Sequence, residues 1–64
     1  MMDPEEEFIQ NATTMLHYSR TEIKQFLAWT TPNTNHHQQA TQMLAQLDQL
    51  ATGMKKLLHT YKNR

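Results

Sequence analysis

Apolar residues recur with a helical period along the second half of the chain, from residue 40 to residue 61. If Ala40 is assigned to heptad position a, every residue at positions a, d and e is apolar or aromatic. These positions hold Ala40, Met43, Leu44, Leu47, Leu50, Ala51, Met54, Leu57, Leu58 and Tyr61. The positions between them are mainly polar, so the apolar arc is about 100° wide, as in a helix that faces a globular core. We therefore expect a helix whose whole a, d and e stripe is covered by a partner.

The first half of the chain carries a second amphipathic pattern, from Phe8 to about Trp29. In the same heptad notation, position a holds Ile9, Leu16 and Ile23, and position d holds Ala12, Ser19 and Phe26. Asp3 and Pro4 precede this pattern and form a helix start, because aspartate accepts hydrogen bonds from free N–H groups and proline suits the first helical position. The sequence predicts a first helix over about residues 4–29.

The periodicity stops in segment 30–35, which reads Thr-Thr-Pro-Asn-Thr-Asn. Pro32 disfavours helical geometry at Thr31, and asparagine and threonine side chains cap helices or stabilise turns. Two starts for the second helix are compatible with this segment: Thr31 as the cap before Pro32, or a cap within 33–35, which we favour. The second helix should then extend over about residues 35–62.

Two helices of similar length joined by a short turn pack antiparallel. The sequence therefore predicts an all-α, antiparallel two-helix hairpin, with residues 1–64 forming a single domain. The charges agree, because this fold brings the acidic segment 3–7 beside a basic C-terminus. The basic residues are Lys55, Lys56, His59, Lys62 and Arg64.

The apolar surface of the first helix is wider than one partner helix can cover. A flank outside its a and d positions carries four large side chains, Phe8, Met15, Tyr18 and Trp29, which we call the outer flank. Glu22 interrupts this flank. Exposed apolar surface of this kind marks a contact site. We predict that the outer flank is an interface through which the chain dimerises into a four-helix bundle; alternatively, a different protein occupies it.

Composition narrows the cellular context. The chain has 64 residues, no cysteine and a formal net charge of zero. A domain of this size buries only roughly 60% of its unfolded surface, so association would stabilise it. No apolar run approaches the ~20 residues that span a bilayer, and the N-terminus is acidic where a signal peptide is basic. We expect a soluble, cytoplasmic protein that does not insert into membranes.

The sequence shows no arrangement of residues typical of a catalytic site. With one glycine there is no glycine-rich phosphate loop, and the single serine, Ser19, is interpreted as a small residue that permits close helix contact. The four histidines at 17, 36, 37 and 59 have no mate three or four residues away, the spacing of metal ligands on a helix. We therefore predict no catalytic residues, no metal site, no cofactor and no enzyme activity.

Three functions remain compatible with the sequence. The favoured one is a small regulator or adaptor that binds another protein, or itself, through the first helix. The second is a structural, self-assembling subunit. The third is a weak nucleic-acid accessory protein using Lys55, Lys56, Lys62 and Arg64, which the facing glutamates argue against because they cancel the positive field.

Overall fold

The computed structural model describes residues 3–63, which form two α-helices and no strand. Helix α1 is Pro4–Trp29 and helix α2 is Asn35–Lys62. The helices lie side by side in an elongated body that measures 46 × 18 × 11 Å. The predicted all-α class is confirmed, and a two-helix hairpin fits the structure.

Side-chain caps explain where both helices begin. Asp3 Oδ1 accepts a 2.8 Å hydrogen bond from the Glu6 N–H, and Pro4 is the first residue of α1. Thr34 Oγ1 accepts a 3.3 Å hydrogen bond from the His37 N–H at the start of α2. Of the two starts considered for α2, the structure therefore has the later one. Asn33 in the turn has a φ of 71°, a left-handed conformation that asparagine tolerates better than most residues.

Polar contacts join the two open ends of the hairpin. Lys62 Nζ lies 3.3 Å from Glu6 Oε1, and the Tyr61 hydroxyl donates a 2.7 Å hydrogen bond to Asp3 Oδ1. The acidic start of α1 thus meets the basic end of α2 in this pair, while Arg64 lies outside the described residues. Lys62 is exposed and Glu6 is half-buried, so the pair is still reached by solvent and contributes about 0–1 kcal/mol. Their main consequence is that they define the antiparallel register.

Positions a and e of each helix form the contact between α1 and α2, which we call the seam. In α1 the seam residues are Ile9, Thr13, Leu16, Arg20, Ile23 and Leu27; in α2 they are Ala40, Leu44, Leu47, Ala51, Met54, Leu58 and Tyr61. The spacing alternates between three and four residues, as in a coiled coil. Ala40 is 5% exposed and is the one buried residue among residues 3–63; the other seam residues are half-buried.

Position d lies outside the seam in both helices, which corrects the predicted core. Met43, Leu50 and Leu57 are 50%, 56% and 48% exposed. Positions a and e are about 40° apart around a helix, so the line between them faces the partner and position d lies about 80° away. A single neighbouring helix cannot cover that position. Within the hairpin, Ser19 does not make the close helix contact predicted for it, because it is exposed.

Candidate interaction surface

The exposed d positions of the two helices lie on the same broad side of the hairpin. Phe26 and Met43 line one shallow surface cavity together, beside the seam residues Ile23 and Ala40. The Glu6–Lys62 and Arg20–Asp48 pairs show that the same antiparallel register holds along the molecule, so the other d residues of both helices lie on this side as well. We call six of these d residues the apolar face: Ala12, Ser19 and Phe26 from α1, and Met43, Leu50 and Leu57 from α2. The other two d residues are Glu5 and His36, in the first turn of each helix.

The opposite broad side of the hairpin is polar and charged. A groove there is lined by His17, Arg20, Asp48 and Lys55, with Thr13 and Thr52 between them. Arg20 forms an ion pair with Asp48. Arg20 occupies a seam position, which its long aliphatic stem allows while the guanidinium reaches the edge of the groove. The hairpin therefore has one apolar side and one charged side.

The outer flank is strongly exposed. Phe8 and Met15 are each 71% exposed, Tyr18 is 67% exposed and Trp29 is 87% exposed. Phe8, Met15 and Trp29 share heptad position g, about 60° around the helix from the d residues of α1, so they extend the apolar face along its edge. Tyr18 lies about 100° from position d, and its ring is tilted against His17 at 6.3 Å between centroids. The structure thus groups three of the four residues with the apolar face, and their role as an interface stays a prediction.

The sequence did not place Met43, Leu50 and Leu57 at the surface. Their spacing of seven residues was visible, but an apolar arc of about 100° does not show which part of it meets the neighbouring helix. The number of helices available to pack against α2 could have indicated their exposure. Positions a, d and e together need two neighbouring helices to cover them, and the hairpin supplies one.

The histidines are distributed around the turn and along the helices rather than gathered at one site. The His36 ring packs edge-on against Phe26, with centroids 6.0 Å apart, and His37 Nδ1 lies 2.9 Å from Thr30 Oγ1. Within residues 3–63, no group of three or more histidine, aspartate and glutamate side chains has an arrangement that could hold a metal ion. Neither described helix is long and apolar enough to cross a membrane.

The accessible surface is large for a chain of this mass. It amounts to 5304 Å² for 7.6 kDa, whereas a compact monomer of that mass exposes about 4,300 Å². The difference of about 1,000 Å² reflects a body one helix thick, with no third layer over the apolar face. The hairpin therefore exposes roughly the area that a protein interface would cover.

No protein-family model matches this sequence, and neither does any curated protein or solved structure. No function can therefore be carried over from a relative. The features that bear on function are the apolar face, the outer flank beside it and the charged groove on the opposite side.

Proposed function

We propose that the chain is a non-catalytic protein-interaction module, a small regulator or adaptor that binds another protein or a second copy of itself. Its exposed surface carries the proposal. Ala40 is the one buried residue among residues 3–63, whereas eight large hydrophobic side chains are exposed. Burial of apolar surface is the main favourable term in both folding and association, at about 25 cal/mol per Å². A partner that covers this surface would therefore stabilise the fold as it binds.

The proposed contact surface has two adjoining parts. The apolar face supplies residues from both helices, and the outer flank adds Phe8, Met15 and Trp29 along one edge. Exposed apolar patches of this extent, bordered by polar residues, are typical of protein-binding sites. A four-helix bundle made by two hairpins would cover such a surface. The chain lacks cysteine, a composition that fits the reducing environment of the cytoplasm, where we expect the module to act.

Capture of binding partners from the native cell tests this proposal. The bait would be the tagged chain, with Met15→Glu as the surface variant and Thr14→Glu as the matched control. Thr14 is exposed and adjacent in sequence, but it points away from the outer flank, so both variants introduce the same charge into an exposed position of α1.

We expect the parent chain to recover one protein in stoichiometric amount after nuclease treatment, either a different protein or untagged copies of the chain. Met15→Glu should recover at least tenfold less of it, because a charge would then enter an apolar contact. Thr14→Glu should recover as much as the parent. Equal recovery by all three baits would contradict the proposed surface. Recovery that is lost with nuclease and falls steeply with salt would instead indicate nucleic-acid binding.

A further inference from the structure

The broad apolar side of the hairpin has the dimensions of a dimer interface. The body is 46 Å long and 18 Å wide, so this side covers on the order of 800 Å², the area that each partner contributes to a standard protein interface. Both helices extend along it, and α1 alone is about 39 Å long at ~1.5 Å per residue for its 26 residues. A partner that covers the side completely must present a surface of the same length and width. Another hairpin of this chain does so.

The residues on the exposed side of α1 show the same alternating spacing of three and four residues as its seam. From residue 8 to residue 29, positions d and g hold Phe8, Ala12, Met15, Ser19, Glu22, Phe26 and Trp29, which alternate by four and three residues. This alternation is how a helix meets another helix along its whole length. Because d and g are centred about 110° from the seam, α1 can contact two neighbouring helices at once, as each helix of a four-helix bundle does.

The charges permit this side to face a copy of itself. Two identical surfaces related by a twofold axis repel each other if they carry net charge. None of the six residues of the apolar face is charged, while Arg20, Asp48 and Lys55 lie around the groove on the opposite side. Glu5, in the first turn, and Glu22 are the charged residues at positions d and g of α1.

Side-chain size favours one pairing of the helices. Beside its d residues, α1 carries the large side chains of Phe8, Met15 and Trp29. The corresponding edge of α2 carries smaller or uncharged polar residues, namely Gln39, Gln46, Gly53 and Thr60. A Cβ added at Gly53 would meet no atom within 4 Å, so the space over this glycine is open. The large side chains on the edge of α1 could therefore fill the space beside the smaller residues on the edge of α2.

Pairing α1 with α2 of the partner uses this difference. With a twofold axis parallel to the helices, residues at equal height face each other, so Met15 meets Gly53 of the partner subunit and Ser19 meets Leu50 of the partner subunit. Glu22 then lies beside Gln46 of the partner subunit, whose amide can donate a hydrogen bond to it. Pairing α1 with α1 would instead oppose the large side chains and leave the edges containing Gly53 facing each other across a gap, which costs packing energy.

From this complementarity we infer that the partner on the apolar face is a second copy of the chain, with α1 of each copy packed antiparallel on α2 of the other. The inference rests on the proposed function and identifies the partner of the same surface. It assigns the interface to both helices rather than to α1 alone. Tyr18, which points away from the apolar face, lies outside it.

Single cysteines test this geometry cleanly, because the chain has none of its own. A Met15→Cys chain and a Gly53→Cys chain carrying a short tag would be mixed, unfolded, refolded together and oxidised mildly. We expect the covalent dimer that joins the two different chains to exceed either covalent homodimer at least tenfold. The control pair, Thr14→Cys and Thr52→Cys, replaces exposed residues that lie off the apolar face, and should give at least tenfold less mixed dimer.

A predominance of the Met15→Cys homodimer, or equal amounts of all three covalent dimers, would overturn the pairing of α1 with α2. If no covalent dimer forms and the parent chain has the mass of a monomer, the inference that the partner is a second copy of the chain is overturned. That outcome is distinguishable from failure of the proposed function. Capture of a different protein by the parent chain, and its loss with Met15→Glu, would still support an interaction module.

Discussion

Replacing Leu50 by glutamate should convert the chain from a dimer into a monomer. Leu50 is the middle d residue of α2 and is 56% exposed in the hairpin, so the new carboxylate remains in water as long as the chain is alone. In the dimer, two such carboxylates would be buried near the twofold axis. Burying an unpaired charge costs several kcal/mol, and each 1.4 kcal/mol weakens association tenfold. We expect dimerisation to weaken by at least 1,000-fold, as measured by sedimentation velocity.

Gln49→Glu is the matched control for this substitution. Gln49 is adjacent to Leu50, exposed and directed away from the apolar face, so its replacement adds the same charge to α2 without placing it in the interface. The control should sediment as the parent does. Helix content of Leu50→Glu would be followed by circular dichroism, since a hairpin with so little buried surface is expected to lose helix on dissociation. A Leu50→Glu chain that still sediments as a dimer would contradict the assignment of the interface.

Replacing Leu47 by alanine should destabilise the fold by about 2 kcal/mol, the lower end of the range for leucine-to-alanine changes, because Leu47 is half-buried in the seam. A small domain has a total stability of roughly 5 kcal/mol, so this loss would be a large fraction of it. The measurement is urea unfolding followed by circular dichroism at a fixed protein concentration.

The comparison for Leu47→Ala is Gln49→Ala, which makes alanine at an exposed position two residues away. We expect its unfolding midpoint to stay close to that of the parent, since surface substitutions usually change stability by less than 0.5 kcal/mol in either direction, as a rough guide. If Leu47→Ala unfolds at the parent midpoint as well, positions a and e do not form the seam.

Local signals in the sequence were sufficient to predict the two helices. Asp3 and Pro4 specify the start of α1 through one side-chain bond and one missing N–H, and the polar segment around Pro32 interrupts the apolar period. Each of these effects acts within a few residues. The all-α class could therefore be derived without knowing how the helices pack.

The division of the apolar stripe into a seam and an exposed face could not be derived in the same way. It depends on the rotation of each helix about its axis, which is fixed by the partner helix. Arg20 illustrates the difficulty, because a charged residue suggests an exposed position, yet its stem lies in the seam and its guanidinium pairs with Asp48. With Arg20 and Thr13 in the seam, the apolar residues at position d face outward. The outer flank was visible only because it exceeds what one helix can cover.

Sedimentation equilibrium of the parent chain at micromolar concentration tests most directly whether the apolar face binds a second copy. We expect a species with twice the chain mass of 7.6 kDa, which dissociates on dilution and loses helix as it does so. Trp29 fluorescence, recorded in the same dilution series, would report whether the side chain of Trp29, at the edge of the interface, becomes exposed to water on dissociation. A well-folded 7.6 kDa monomer at every concentration, with no change in Trp29 emission, would show that the apolar face does not bind a second copy.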